Sequence, residues 1–338
     1  MSRVCIAAFV VVTLICTSVF AQDWANTSII EHSTYQGVNP DGTSTYPSSG
    51  FPIRLRGVLL NNPEDWLDAT FQEPPMGPGG QWEIFVQAVN LDGTPHDPDT
   101  GSTFDDFGGT AAWMGQNYAF LAGKPDTFFY HAADWADELE RLEYAGGTPG
   151  SDPMIRAGDL IELRARGGKN FQGKMNVNEQ HDINPSLDFE IVLLEQGFGR
   201  PPAQPLTLDT FKDSSNQYIF DGSRQTGGER YQSTWVELRN VMLVDNTGWA
   251  PGAELELMDA AGRTLPIELG LNPSFAATAA PEGWFNVSGI VNQGGSDTGG
   301  YNLLALEAGD FVVPEPASLM LLAGCGVMIA FRRNRSRM

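Results

Sequence analysis

The sequence predicts an all-β fold with one short helix, arranged as two tandem five-stranded barrels behind an export signal and ahead of a C-terminal transmembrane segment. Three observations carry this. The 38 glycines and 22 prolines, with many Asp and Asn residues, punctuate short runs in which apolar and polar residues alternate, the pattern of strands joined by turns. Four blocks recur in the same order in the two halves of the chain. Both ends carry an apolar run beside basic residues. A β-sandwich is the competing architecture, since alternation does not distinguish a closed barrel from stacked sheets.

The first element is a signal peptide over residues 1–21. Arg3 supplies the positive region, Val4 to Phe20 is almost wholly apolar, and Val19-Phe20-Ala21 ends on the small residue a signal peptidase reads. A cut after Ala21 leaves Gln22 as the first mature residue; an uncleaved anchor is the alternative. Export of this kind runs through the Sec translocon. Cys16 does not make the segment a lipoprotein signal, because Thr13 stands three residues before it where leucine is needed.

Residues 22–50 form a lead-in, 51–196 a first domain, 197–205 a linker and 206–313 a second domain. Ile53-Arg-Leu55-Arg-Gly-Val-Leu-Leu matches Val236-Glu-Leu238-Arg-Asn-Val-Met-Leu, and Trp82–Val86 matches Leu255–Met258. Ile161–Ala165 matches Phe285–Gly289, and Phe189–Leu194 is paired with Tyr301–Leu306. Each half then holds about five strands. In the first, a helix falls between the third and fourth: Asp134 can cap it, with Asp137 three residues on, Trp135, Leu139 and Leu142 share one face, and Gly146-Gly147 can end it. In the second, Asp259-Ala-Ala-Gly262 turns a hairpin over 255–269. Five strands with a helix before the fourth resemble the OB-fold. Gly197-Phe-Gly-Arg-Pro-Pro-Ala-Gln-Pro205 has the composition of a linker.

Five of the 20 Lys and Arg and one of the 42 Asp and Glu fall in the terminal segments, leaving 15 bases against 41 acids in the body. Such a field repels polyanions, so general nucleic-acid binding is disfavoured. All three cysteines (Cys5, Cys16, Cys325) lie in the terminal segments. The body therefore has no disulfide, cysteine nucleophile or thiolate metal site and must rest on packed cores.

One stretch stands out against this acidity. Arg164, Arg166, Lys169 and Lys174 surround Phe171 without an intervening acid. They read either as a polyanion contact with Phe171 stacking on a ring, or as cations paired across strands with Glu162, Glu179 and Glu190. A second stretch, residues 176–188, holds His181, Glu179, Asp182 and Asp188. It reads as a β4–β5 turn, with Glu179, Asp182 and Asp188 as the calcium set if the acids converge; no other cofactor is expected. The loop with His96, Asp97, Asp99, Asp105 and Asp106 reads as a solvated insertion or a weak calcium loop. Trp66, Trp82, Trp113 and Trp249 lie near turn residues and read as core covers or as sugar-stacking platforms. No nucleophile elbow, HExxH or phosphate-binding loop occurs, and 41 acids always offer carboxylate pairs.

At the C-terminus Pro314-Glu315-Pro316 precedes the apolar run Ala317–Phe331, then Arg332, Arg333, Arg335 and Arg337. Helix breaker, short membrane segment and cytoplasm-retained charge follow in that order. This tail resembles the PEP-CTERM sorting signal of envelope-bearing bacteria. The resemblance implies cleavage near Pro314–Pro316 by an exosortase. The run has 15 residues, short of the roughly 20 a stable span prefers, so membrane residence reads as transient. The expected protein is a non-enzymatic component of the cell envelope, cell surface or extracellular matrix whose modules bind extracellular polysaccharide. A secreted nucleic-acid- or glycan-processing enzyme, or its accessory module, is the alternative.

Overall fold

The computed structural model describes residues 22–73, 79–89, 106–116, 123–178, 183, 184 and 186–314. Ala21, Glu179, Asp182, Glu315, Pro316, Arg332, Arg333 and most of the 92–106 loop lie outside the described residues. Among the described residues no helix is long and apolar enough to cross a membrane, and the 317–331 run lies outside them.

The first half builds β1 (Ile53–Leu59), β2 (Leu67–Asp68), β3 (Gln81–Gln87), β4 (Gly109–Gly115), β5 (Leu160–Ala165), β6 (Gly168–Phe171), β7 (Lys174–Asn178) and β8 (Glu190–Glu195). Seven of these run in the order β6-β7-β4-β3-β1-β5-β8, with β2 pairing β3. The ends β6 and β5 are separated in the chain only by Arg166 and Gly167. The chain thus bends from one end of this mixed sheet towards the other, giving among the described residues a barrel-like sheet without the closing strand pair of the second half, and β4 and β7 run parallel. The second half builds β9 (Gln204–Leu206), β10 (Trp235–Leu243), β11 (Glu254–Asp259), β12 (Thr264–Leu269), β13 (Phe285–Ser296), β14 (Gly299–Ala305) and β15 (Phe311–Val312). There β10-β11-β12-β14-β13 closes by hydrogen bonds, because β13 pairs both β14 and β10. The order 1-2-3-5-4-1, with the third and fifth strands parallel, gives the OB-like barrel expected.

Short helices complete the frame: α1 (His32–Tyr35), α2 (Ala132–Leu142), α3 (Gly227–Arg230) and α4 (Ser274–Ala277). Helix α2 occupies the expected place, but its N-cap is His131. Asp134 sits three residues in, its carboxylate accepting the His131 backbone N–H at 3.2 Å. Trp135 and Leu142 are buried, as the i, i+7 spacing requires. The chain leaves helix after Leu142, before Gly146 and Gly147, both at positive φ.

Three of the four repeat blocks fall on equivalent strands: β1 and β10, β3 and β11, β5 and β13. The fourth does not. The equivalent of β14 is β7, Lys174–Asn178, the start of the stretch that reads as a turn. Phe189–Leu194 instead supplies β8, which pairs with the outer half of the fourth strand just as β15 does in the second barrel. Strand β7 carries only two apolar side chains, Met175 and Val177, both in the first core. The lead-in completes its bonding: Gln36 exchanges hydrogen bonds with the Met175 backbone at 2.7 and 3.0 Å, and Tyr35 donates to the Asn176 carbonyl at 2.9 Å.

Each barrel has its own core, around Trp82, Ile84, Leu163 and Phe189 in the first and Phe211, Phe285, Tyr301 and Leu303 in the second. A third cluster, Leu60, Phe85, Ala111, Trp235, Ile290, Leu304 and Leu306, joins them. Burying each such side chain stabilises by about 1.5–3 kcal/mol, so the barrels hold one another. The linker is docked as well: Gly199 N–H donates to the Gly158 carbonyl at 2.7 Å, and its last residues become β9, parallel to β10. Gly109 shows how tight the seam is. A Cβ there would lie 2.2 Å from the Ser233 carbonyl oxygen of the other barrel.

Candidate ligand-binding cleft

Beside the apolar seam the two barrels part to leave a cavity of about 670 Å³. Strand alternation explains its walls. On β3, Trp82 and Ile84 point into the core, so Gln81 and Glu83 point outward into the cavity, followed by Phe85 at the seam. On β4, Trp113 lies outward between Ala112 and Met114, both core residues. On β7, Lys174, Asn176 and Asn178 alternate with Met175 and Val177. The second barrel contributes Glu268 from β12 and Asn292 from β13, with Leu271 and Leu304. Trp66 and Asp68 flank one side, and Lys169 and Phe171 of the β6–β7 hairpin the other. The site thus covers the second and third strands of the first barrel, the face OB-folds use for ligands.

The hairpin tip is held against the second barrel. Gln172 and Gly173 both have positive φ, and a Cβ on Gly173 would come within 2.6 Å of the Gln293 amide and 2.7 Å of the Asp297 carbonyl. Glycine at this position lets the tip approach and leaves Phe171, 51% exposed, standing over the cavity.

Polar groups at the site are unevenly satisfied. Lys174 is 4% exposed; its Nζ donates to Glu83 Oε1 at 2.8 Å and to Asn292 Oδ1 at 2.5 Å, bridging the barrels. Asn176 is 5% exposed, yet its Oδ1 has no partner, nor does Trp66 Nε1. Burial, with Glu254 and Glu83 nearby, pushes the Glu268 carboxyl up to about 7 against the pull of Lys174. Near neutrality Glu268 is therefore partly protonated, able to donate as well as accept.

The basic stretch divides between two places. Arg164 and Arg166 leave the cavity for the outer face of β5. Glu162, 1% exposed, receives Arg56 at 2.7 Å, Arg164 at 2.9 Å and Arg54 at 3.6 Å. Glu190 takes Arg166 and, at 3.6 Å, Arg164. Burial opposes ionisation of Glu162, but hydrogen bonds from Arg164 and Arg56 hold its carboxyl below the ordinary range. Lys169, Phe171 and Lys174 line the cavity. As a single polyanion surface the five residues are not brought together.

Among the described residues no three His, Cys, Asp or Glu side chains gather as a metal site. Of the calcium set only Asp188 is described, and its carbonyl accepts Arg166 Nη1. Of the tryptophans, Trp82 stacks on Phe189 at 5.9 Å in the first core, and Trp249 packs edge-on to Phe311 at 4.9 Å. Trp66 and Trp113 line the cleft. Sequence reasoning missed Gln81, Glu83, Asn176 as a wall residue, Glu268 and Asn292. The one available signal was the polar half of the β7 alternation.

The comparisons with known proteins separate the tail from the body. Residues 312–336 match the PEP-CTERM protein-sorting motif. No curated protein matches the chain. Among solved structures, the body is similar to a murine DNA-binding protein bound with double-stranded DNA, at 11% identity and a TM-score of 0.23, covering 74% of this chain and 92% of that one. It is also similar to a deletion mutant of the single-stranded DNA binding protein from Thermus aquaticus, at 10% identity and a TM-score of 0.16, covering 77% and 94%. Similarity at these scores carries no argument about ligand.

Proposed function

From the premise that residues 312–336 carry a PEP-CTERM motif, which marks an exported protein sorted to the cell envelope by an exosortase, we propose that the cleft is a non-catalytic binding site for a neutral segment of extracellular polysaccharide. The observation that carries this is the lining itself. Trp66, Trp113 and Phe171 offer ring faces for pyranose stacking, while Gln81, Asn176, Asn178 and Asn292 offer amides for hydroxyls. The orphaned Asn176 Oδ1 is a buried acceptor waiting for a donor. A volume of about 670 Å³ suits a short oligosaccharide.

Nucleic acid is the reading that Lys169 and Phe171 favour, since a cation beside an exposed ring suits a strand of bases. Asp68, Glu83 and the partly ionised Glu268 oppose phosphate in the same space. The test is a screen of the full chain against neutral glycans, acidic glycans and single-stranded oligonucleotides, with and without calcium. The expected result is saturable binding of neutral glycan alone, independent of calcium, with no new reducing ends in the bound glycan. Binding of oligonucleotide alone would replace this reading. Release of reducing ends would make the site catalytic, with Glu83 and Glu268 as its acid pair.

A further inference from the structure

The last described residues end on an exposed apolar edge. Strand β15 pairs with the start of β13, Val312 opposite Asn286 and Phe311 opposite Val287. Phe311 turns inward against Trp249, Phe285 and Phe275, at 4.9, 5.4 and 6.3 Å. Val312 and Val313 do not; they are 55% and 53% exposed, and Trp284, just before β13, is 45% exposed. Extended by two residues past the Asn286–Val312 pair, the antiparallel register brings Trp284 level with Pro314, so the three side chains lie at one end of the sheet. Leaving a tryptophan and two valines in water at one edge forgoes burial that each would otherwise gain.

The position of this edge in the chain says what covers it. Only Pro314, Glu315 and Pro316 separate Val313 from the apolar run Ala317–Phe331. Four residue steps span at most about 14 Å. A bilayer of about 30 Å hydrocarbon thickness carries polar layers of roughly 5–8 Å on each side. While the run is inserted, the edge is therefore tethered at the headgroup layer. That is where an indole, apolar in its body and polar at Nε1, is most at home.

We infer that Trp284, Val312 and Val313 form the face on which the precursor rests on the bilayer before its tail is removed. Resting there holds the Pro314–Pro316 segment at the membrane surface, within reach of a membrane peptidase. The exposed carboxylates Glu282 and Glu307 precede Trp284 and Val312 in the chain by two and five residues, so the surface the edge fits is zwitterionic. The inference rests on the tail reading and is independent of the glycan reading.

The test reconstitutes the full chain in phosphatidylcholine vesicles with and without acyl chains brominated near the headgroup, and reads tryptophan fluorescence. Sedimentation with the vesicles reports the tail separately. The expected result is quenching that falls at least twofold in Trp284→Phe, with sedimentation unchanged. A Val312→Asp, Val313→Asp double variant lowers the quenching in the same way while Trp284 itself is kept. Replacing about a third of the lipid by an anionic phospholipid also weakens it. Equal quenching in wild type and Trp284→Phe overturns the inference. So does quenching that appears only when the membrane contains the peptidase, which would make that protein the partner. Failure of the full chain to sediment overturns it together with the insertion it presumes.

Discussion

Lys174 of the first barrel donates to the Asn292 side-chain carbonyl of the second at 2.5 Å while holding Glu83 at 2.8 Å. One buried ammonium thus satisfies a carboxylate on its own sheet and an amide across the seam. It also marks where the apolar contact between barrels gives way to the polar cleft. Phe85 lies 5.3 Å below the same nitrogen, so the cation is enclosed on three sides.

Removing that charge leaves Glu83 facing Glu268 without compensation. Lys174→Met should destabilise the protein by about 3–5 kcal/mol, the usual cost of breaking a buried pair. Adding Glu83→Gln should recover most of it. Denaturant midpoints of the single and double variants, treated as a cycle, check this. Equal midpoints for wild type and Lys174→Met would refute it.

Glu268 sets a pH dependence of opposite sign to an ordinary salt bridge. Its folded value, about 7, lies above the ordinary 4.5. The folded state therefore holds a proton that the unfolded state releases between those values, and stability falls as pH rises from about 4.5 to 7. Asp310, pushed up to about 6 mainly by burial, adds in the same direction. Glu268→Gln should remove its own share, on the order of 2 kcal/mol at pH 8. Thermal melts across pH 4.5–8 should show a flatter profile for the variant.

Glu162 behaves in the reverse way. Its folded value is depressed, so its stabilisation is present above the ordinary glutamate range and is lost as pH falls through the depressed value. Glu162→Gln leaves Arg54, Arg56 and Arg164 crowded without their shared anion and should cost about 3 kcal/mol at neutral pH. Chemical denaturation at pH 7 and pH 3 should show the difference shrinking in acid.

Gly109→Ala tests the seam. The added methyl meets the Ser233 carbonyl, which belongs to the other barrel's backbone and cannot swing away. The expected cost is about 1–3 kcal/mol, with faster amide exchange in β4 and around Ser233 than in the far strands of either core.

How far the sequence exposes this architecture depends on which side of a strand carries the signal. Strands β1, β3, β5 and their equivalents bury Ile53, Leu55, Trp82, Ile84 and Leu163 at every second position, and the period of two is plain. The Asp259–Gly262 turn is equally legible, because Asp259 accepts the Ala261 and Arg263 amides and Gly262 takes φ +81°. Strand β7 is obscured because its outward positions, Lys174, Asn176 and Asn178, are polar like a turn. They are polar because they line a cavity whose other wall, Glu268 and Asn292, lies about a hundred residues further on in the second barrel. The pairing of Arg164 with Glu190, like that of Arg56 with Glu162, was readable as a cross-strand possibility, since each needs only the register of two neighbouring strands. The parting of Lys169, Phe171 and Lys174 from the two arginines was not, because it follows from the bend at Arg166-Gly167.

The most direct test of the central claim is calorimetric titration of the full chain with a neutral oligosaccharide identified by the screen, repeated on Trp113→Ala and Asn176→Ala. A site formed by the cleft predicts one saturable event per chain. Each substitution should weaken it roughly tenfold, about 1.4 kcal/mol, with the denaturation midpoint of each variant recorded alongside. Undiminished binding in both variants, at wild-type stability, would contradict a ligand site between the barrels.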